Sequence, residues 1–154
     1  MNIALMEIFL LKTTALNSKK VNCAVMFSIR PEFTEKIFTF EKKYEFRKVR
    51  CRRFVRRAFI YESRGLRGVI GEFEISNIYE GSPQEIWALT KDFSGISLNY
   101  YMSYFKNLNN AIAYEIRNPI RYTKSIPLKE FGVFNVPQSF IYIDSEQVHK
   151  VVNV

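Results

Sequence analysis

The residues best suited to chemistry are a lysine, a glutamate and an arginine that lie close together, Lys42, Glu45 and Arg47. In an extended segment, residues two apart point to the same face, so Glu45 and Arg47 are neighbours there, and Lys42 reaches toward them from the preceding turn. Two cations around one carboxylate leave hydrogen-bond donors for a phosphate or a base carbonyl. The alternative is a surface ion-pair ladder, which contributes about 0 to 1 kcal/mol per pair.

A second feature is the basic run between Arg47 and Arg57. The run contains seven Lys and Arg residues and no acid, whereas the rest of the chain has 16 basic and 15 acidic residues, so the run holds most of the net charge of +8. A polyanion contacts such a patch through several phosphates, and each contact releases counterions. The residues predicted to contact a nucleic-acid backbone are Lys48, Arg50, Arg52, Arg53, Arg56 and Arg57.

The basic run has two other interpretations. In the first interpretation, the run is a solvated connecting segment, as most charge runs are. In the second it binds an anionic lipid surface, but the segment has no long amphipathic helical stripe to support this role. We therefore favour nucleic acid as the partner.

Length and composition indicate one folded domain. The chain has 154 residues, 47% of them hydrophobic, 16% aromatic and 25% charged, which is the size of a typical domain and too apolar for disorder. No stretch reaches the ~18 apolar residues of a membrane span. The apolar run near the start lacks the basic residues of a secretory signal, so we expect a cytoplasmic protein with no membrane partner.

Cysteine and histidine content limits the chemistry further. We expect Cys23 and Cys51 to be free thiols, because disulfides are rare in a reducing compartment. The single histidine, His149, is not part of a CxxC or HExxH pattern. The sequence therefore predicts no metal site and no cofactor.

The first half of the chain predicts strands around one early helix. Residues 24–29 are apolar and predict a buried strand, and Pro31 begins a helix whose core positions are Phe33, Ile37 and Phe40. Residues 44–46, 58–61 and 68–78 predict three further strands.

The second half begins with a predicted pair of helices. Ser82 and Glu85 form a capping box around Pro83, and Ser97 can cap the next helix. Residues 111–116 and 120–123 predict two strands around Pro119, and 139–143 a last strand. The predicted fold class is α+β, with about six strands closed into a small barrel, an early helix and a central helical pair.

The chain divides into three segments. The domain itself is expected at residues 23–146. Residues 1–22 are an N-terminal appendage or an extra edge strand, and residues 147–154 a C-terminal tail that frays or adds an edge. The apolar residues 8–11 would support a weak homodimer through the N-terminal segment, with a monomer as the alternative.

These segments, in this order, resemble the ASCH domain family of the PUA-like β-barrel superfamily. The resemblance runs through residues 27–31 (FSIRP), 41–47 (EKKYEFR), 69–73 (VIGEF) and 137–140 (PQSF) and covers about residues 24–143. The family signature G-x-K-x-x-E-x-R is present as Lys42, Glu45 and Arg47, with Phe40 in place of the glycine. We therefore expect a differently built turn between the helix and the next strand.

The resemblance implies a ligand cleft between the first helix and the barrel, lined by the signature residues. Ser28 and Arg30 precede that helix, and Tyr61 and Ser63 end the strand after the basic run, so these four are further cleft candidates. Gln138 and Ser139 approach from the last strand. The implied ligand is nucleic acid or a nucleoside-like molecule, with RNA favoured over DNA by family association alone.

The resemblance also raises an enzymatic alternative. Small ASCH amidohydrolases that remove acetyl groups from N4-acetylcytidine use a lysine, a threonine and a glutamate, with the lysine at the position of Lys42. Here Glu45 occupies the place of the threonine, and only Asp92 lies near the place of the glutamate. We also expect Glu45 to keep Lys42 protonated, which opposes its use as a base.

The sequence thus favours a nucleic-acid-binding module, preferably for RNA, with a polar cleft for a base, a modification or a terminus and a basic rim for phosphates. A hydrolase of RNA or of a modified nucleoside, of amidohydrolase or nuclease type, is the alternative. A regulatory protein-interaction domain is the second alternative. Catalytic residues stay unassigned.

Overall fold

The computed structural model describes residues 23–152, which form six strands and four helices. The strands are β1 (Cys23–Ile29), β2 (Tyr44–Arg47), β3 (Arg57–Glu62), β4 (Val69–Gly81), β5 (Ala111–Ile126) and β6 (Phe140–Asp144). The helices are α1 (Pro31–Phe38), α2 (Pro83–Thr90), α3 (Leu98–Tyr104) and α4 (Ser145–Val152), and two 3₁₀ helices span Lys91–Phe93 and Leu128–Phe131. The N-terminal appendage and the dimer expected through it fall outside the described residues.

The strands form one mixed sheet in the order β2-β5-β4-β3-β1-β6. The pairing of β1 with β3 is parallel, and the other four pairings are antiparallel. The Arg47 side chain connects the two ends of this sheet, because it donates from β2 to the carbonyl oxygen of Ser28 in β1 and to that of Ser139 just before β6. The predicted α+β class is confirmed.

The core consists of three clusters that follow the alternation of side chains along the strands. The inward face of β1, with Val25, Phe27 and Ile29, packs against β3, β4, β5 and Ile37 of α1. The opposite face of β1 and β3 packs against α4 and the second 3₁₀ helix. A third cluster buries Phe46 of β2 against α2 and α3. The third cluster thus anchors β2, which carries Glu45 and Arg47.

Both central helices begin as their cap residues predict. The Ser82 hydroxyl accepts from the backbone N–H of Glu85, whose carboxylate accepts in return from the N–H of Ser82. The hydroxyl of Ser97 accepts from the N–H of Tyr100 at the start of α3. Local hydrogen bonding is therefore sufficient to define both starting points.

The region around Pro119 differs from the prediction of two strands. β5 is continuous, and the pairs Glu72↔Ile120 and Glu74↔Arg117 show that Asn118 and Pro119 together oppose a single residue of β4. This β-bulge accommodates a proline, which has no N–H to donate to the ladder. Asn118 has a positive φ of 48° and donates from its amide to the Glu74 carboxylate.

The end of the chain also differs from the prediction. Instead of a fraying tail or an edge strand, residues Ser145–Val152 form α4, which crosses the expected boundary at residue 146. Val148 and Val151 of this helix are buried in the second cluster. The spacing of three residues puts both valines on one helix face, a pattern too short to stand out in the sequence.

Phe40 was expected in the core, and that prediction is wrong. Its side chain is 58% exposed and its φ is 63°, in the left-handed region. Glycine favours this conformation, whereas other residues adopt it at a cost of about 1–2 kcal/mol. The turn after α1 therefore keeps a backbone conformation typical of the signature glycine, with phenylalanine in its place.

Of the helices that the structure describes, none is long and apolar enough to cross a lipid bilayer. The thiols of Cys23, which is half-buried, and of Cys51, which is buried, are both free.

Candidate nucleic-acid-binding site

A cleft of about 670 Å³ opens between α1, the end of β2, α3 and the segment before β6. We call this space the cleft. The signature residues Lys42, Glu45 and Arg47 all line it. Its other lining residues are Ser28, Ile29, Arg30, Phe33, Phe46, Lys48, Val49, Ser63, Arg64, Ile96, Tyr100, Tyr104, Val136, Pro137, Gln138 and Ser139.

The Lys42 ammonium lies at the base of the cleft, where its side chain is only 3% exposed. Its Nζ atom donates to the carbonyl oxygen of Ser94 at 3.2 Å and lies 3.8 Å from Oε2 of Glu45. The Phe46 ring centroid is 4.6 Å from the same atom, which is a cation–π distance. With the Phe33 ring centroid at 5.8 Å, the Lys42 side chain is thus surrounded by one carbonyl, one carboxylate and two aromatic rings.

The pKa of Lys42 is lowered from 10.5 to about 8. Burial is the largest cause, since it disfavours the charged amine, and the positive charges of Arg47 and Lys36 act in the same direction. Glu45 raises the pKa, but less than burial lowers it. Glu45 thus favours the protonated amine, as expected, but desolvation outweighs this attraction and lowers the pKa of Lys42.

Arg47 is buried and its donors are largely used within the protein. Its Nη2 atom lies 2.9 Å from Oε1 of Glu45 and 2.9 Å from the carbonyl oxygen of Ser28, and its Nη1 atom donates to Ser139 at 3.1 Å. Its Nε atom is buried and has no hydrogen-bond partner among the described residues. Arg47 thus positions Glu45 and links β2 to β1 and to the segment before β6. It contributes positive charge to the cleft, but its guanidinium does not extend toward a ligand.

The turn after α2 holds Lys42 from the opposite side. Gly95 has a φ of +66°, and a Cβ atom there would lie 2.6 Å from the Cβ atom of Lys42. The Gly95 carbonyl also accepts from Nζ of Lys36 at 2.8 Å. Only glycine fits this close approach, so the Ser94–Gly95 turn supports the lysine directly.

The outer part of the cleft carries exposed cations and aromatic rings. Arg30, Lys48 and Arg64 are exposed at its edge. The Nζ atom of Lys48 lies 4.7 Å from the Tyr104 ring centroid. Burial raises the pKa of Tyr104, so its hydroxyl keeps its proton and can donate a hydrogen bond to a ligand. This combination suits an anion that carries an aromatic base.

The structure brings together six of the seven predicted cleft residues. Ser28, Arg30 and Ser63 line the cleft beside the signature residues, as do Gln138 and Ser139. Tyr61 does not, and its prediction as a cleft residue is wrong. Its side chain is 2% exposed and packs in the second hydrophobic cluster, because alternation along β3 directs it to the far face of the sheet.

Some cleft residues were not predicted as site residues from the sequence. Phe33 and Tyr100 pack edge to face on one wall, with ring centroids 5.3 Å apart, but their helical spacing is equally typical of core residues. Ser94 and Gly95 act through the backbone, which leaves no side-chain signal. Arg64 follows Ser63 in a turn and could have been found from its charge.

The basic run does not form one rim around the cleft. Arg47 and Lys48 line the cleft, whereas Arg50, Arg52, Arg53 and Arg56 line a separate groove. Arg57 is bound to Glu72, with Nη2 2.6 Å from Oε2, and lines neither space. The prediction of a single basic surface is corrected accordingly, because residues on either side of Val49 face different cavities.

Among the described residues there is neither a metal-ligand cluster nor the complete amidohydrolase set. No group of three or more His, Cys, Asp or Glu side chains within the described part of the chain is arranged to hold a metal ion. Asp92 is exposed in the first 3₁₀ helix and is not a cleft residue. The cleft therefore has Lys42 in common with the amidohydrolases, but neither a threonine at position 45 nor a carboxylate from Asp92.

Comparison with known proteins identifies relatives of this fold. No model of a known protein family matches the chain. An ASCH domain-containing ribonuclease of Zymomonas mobilis is 29% identical over 133 residues, which cover 84% of this chain and 90% of that protein. The large ribosomal subunit protein uL22 of Ureaplasma parvum is 25% identical over 133 residues, which cover 86% of this chain but 43% of that protein.

Solved structures agree with the sequence comparison. The crystal structure of ASCH from Zymomonas mobilis has a TM-score of 0.75 and 27% identity, and the match covers 85% of this chain and 94% of that chain. A serine-to-alanine mutant of ZmASCH has a TM-score of 0.77 and 25% identity, with 84% and 94% coverage. The fold is thus PUA-like, and the predicted resemblance to the ASCH domain family is confirmed. The chain is similar in sequence and in fold to ASCH domain proteins.

Proposed function

We propose that this protein binds single-stranded RNA, with one nucleotide in the cleft and the adjoining phosphates on the cations at its edge. The buried Lys42, Glu45 and Arg47 cluster at the cleft base carries the proposal. Two buried cations share one carboxylate, so the base of the cleft has an excess of positive charge in a poorly solvated setting, where an anion is bound strongly. The ribonuclease and ribosomal names of the relatives support RNA as the polymer.

The walls of the cleft match a nucleotide in size and chemistry. A volume of about 670 Å³ lies within the range of small-molecule sites. The Tyr100 and Tyr104 rings offer surfaces for base stacking, and Glu45 and the Tyr104 hydroxyl offer hydrogen bonds to base edges. Arg30, Lys48 and Arg64 contact the phosphates in this account.

The binding proposal is tested with a fluorescently labelled, single-stranded RNA of ten nucleotides. Replacing Lys48 and Arg64 by glutamine removes two phosphate contacts, so the slope of log K against log salt concentration falls by about 1.4. The matched control replaces Arg117 and Lys124, which are exposed but line neither cavity, by glutamine. Equal slopes for the two double variants would contradict the proposal.

Cleavage of the bound RNA is a second candidate function, favoured by the environment of Lys42. In this reaction the neutral amine of Lys42 accepts the proton of a ribose 2′-hydroxyl while that oxygen attacks the adjacent phosphorus. The P–O5′ bond breaks, and the leaving 5′ oxygen takes a proton from water in the open cleft. The products are a 2′,3′-cyclic phosphate and a 5′-hydroxyl end. A lysine with a pKa of about 8 is partly neutral near neutral pH, as a general base must be.

The cleavage candidate is tested with RNA, all-deoxy DNA and 2′-O-methyl RNA of one sequence. The account predicts cleavage of RNA only, since the other two polymers lack the attacking hydroxyl. The ratio kcat/KM, which reports the free enzyme, rises with pH to a plateau with a midpoint near 8. Lys42→Met, purified in parallel as the control for contaminating nuclease, has no activity. Equal cleavage of DNA, or full activity of Lys42→Met, would exclude this mechanism.

A further inference from the structure

A second groove lies next to the cleft along the chain. It has a volume of about 530 Å³, and we call it the second groove. One wall is the segment 50–56 and the other is residues 75–78 of β4. Val49 lines the cleft and Arg50 the second groove, so the two spaces adjoin where the chain passes from one to the other.

The segment 50–56 has no regular structure, yet its backbone is fixed. The Tyr114 hydroxyl accepts from the backbone N–H of Cys51 at 2.7 Å, and the Tyr142 hydroxyl accepts from that of Arg52 at 2.8 Å. Cys51 and Val55 are buried in the first core cluster. The side chains between these anchors are therefore presented on a rigid frame, which lowers the entropy lost when a ligand binds.

The arginines of this groove differ in how much of their charge is neutralised. Arg50 pairs with Glu80 at 2.8 Å, and Arg53 lies 4.0 Å from Asp144 and stacks on the Tyr142 ring. Arg52 and Arg56 are exposed and form no ion pair with any residue in the described range 23–152. The facing wall offers Ser76 and Asn77, which carry no charge. Two cations of the groove are thus available to an anionic partner.

Phe54 adds a large aromatic surface between these arginines. Its side chain is 58% exposed although the next residue, Val55, is buried. An exposed ring flanked by arginines is the arrangement with which proteins bind single-stranded nucleic acid, because bases stack on the ring while phosphates contact the cations. An acidic peptide would use the arginines but not the ring.

We propose that the second groove is a further RNA subsite, in which Arg52 and Arg56 contact phosphates and Phe54 stacks on a base of the strand whose other part occupies the cleft. This inference rests on the proposed function, since it extends the same RNA beyond Lys48. In the second groove the unpaired Arg52 and Arg56 contact the phosphates, whereas Arg50, Arg53 and Arg57 remain in ion pairs within the protein.

The test uses the full-length protein and the labelled ten-nucleotide RNA in titrations at several salt concentrations. Arg52→Gln with Arg56→Gln lowers the salt slope of log K by about 1.4, since each contact with a single strand contributes about 0.7. Phe54→Ala weakens binding by about 5- to 150-fold at one salt concentration. The control pair Arg117→Gln with Lys124→Gln leaves the slope unchanged, and thermal unfolding confirms that every variant is folded.

The outcomes separate this inference from the proposed function. If the cleft variants weaken RNA binding while the Arg52, Arg56 and Phe54 variants do not, the second subsite is overturned and the cleft remains. If only the groove variants act, the subsite stands and the cleft proposal fails. If a poly-glutamate peptide displaces the RNA as well from Phe54→Ala as from the unaltered protein, and Phe54→Ala binds RNA normally, the groove binds acidic protein and the inference is overturned.

Discussion

The Nζ atom of Lys42 lies 3.8 Å from Oε2 of Glu45, and both side chains are less than a tenth exposed. This buried pair does not stand alone, because Arg47 approaches the other carboxylate oxygen at 2.9 Å. The carboxylate is therefore shared by two cations. Burial of an excess positive charge is unfavourable for the protein itself, and this cost supports our proposal that the cluster binds an anion.

Removing the Lys42 amine should stabilise the protein at neutral pH. The folded-state pKa of about 8 lies below the ordinary value of 10.5, so the unfolded chain binds more protons between these values and stability rises with pH there. Lys42→Met removes this penalty and raises the free energy of unfolding by about 1–3 kcal/mol at pH 7. The difference in the free energy of unfolding between Lys42→Met and the unaltered protein narrows between pH 8 and pH 10.5. Urea unfolding of both proteins at pH 7 and pH 10 measures it, and a destabilised variant with no pH dependence would contradict the account.

Removal of the Arg47 guanidinium should lower stability, in contrast to removal of the Lys42 amine. Arg47→Met leaves Glu45 with one cation and frees the carbonyl groups of Ser28 and Ser139, so we expect a loss of about 3–5 kcal/mol in the free energy of unfolding. The control is Arg50→Met, which breaks an ion pair whose side chains are 50% and 38% exposed and should change stability by less than about 1 kcal/mol. Similar losses for the two variants would show that Arg47 does not hold the sheet ends together.

The position of the missing signature glycine gives a third prediction. Phe40→Gly relieves a left-handed backbone and removes a side chain that is already 58% exposed, so stability rises by about 1 kcal/mol. Phe54 has the same exposed fraction without a positive φ. Phe54→Gly therefore serves as the control and should lower stability by about 0.5–1 kcal/mol, since glycine loses more entropy on folding. Thermal unfolding compares the two, and the prediction fails if both variants lose stability.

The fold was predictable where local pattern and chemistry coincide. The capping box at Ser82, the cap at Ser97 and the alternation in β1 each specify an element from a few residues. The continuity of β5 was not predictable, because the bulge at Pro119 depends on the pairing with β4. Tyr61 was predicted wrongly for a similar reason. The sequence does not show which face of β3 borders the cleft and which face packs in the second core cluster.

The candidate site was predictable in its residues but not in its energetics. Spacing identified Lys42, Glu45 and Arg47, and the structure places them in one cleft. The burial that lowers the pKa of Lys42 depends on the Ser94–Gly95 turn, which packs on the lysine and is distant from it in sequence. The division of the basic run between two cavities likewise depends on the path of the chain at Val49.

The turn that supports Lys42 provides a fourth prediction. Gly95→Ala places a methyl group against the Lys42 side chain at a left-handed position, so it should lower stability by about 1–3 kcal/mol and weaken RNA binding or cleavage in the cleft. Gly132→Ala is the control. It has a similar φ of +69°, and its methyl group would meet the flexible Gln147 amide away from the cleft. Stability should fall in both variants, whereas RNA binding or cleavage should weaken in Gly95→Ala alone. Loss of RNA function in both would indicate a general effect of instability.

The titration of Lys42 itself tests the central claim most directly. The chemical shift of its Cε atom, followed by NMR against pH, reports the pKa of the amine in the free protein and in the presence of saturating 2′-O-methyl RNA. The account predicts a midpoint near 8 in the free protein and a higher midpoint with RNA, because a phosphate beside the ammonium favours its charged form. A midpoint near 10.5 in the free protein, or one that bound RNA leaves unchanged, would contradict it.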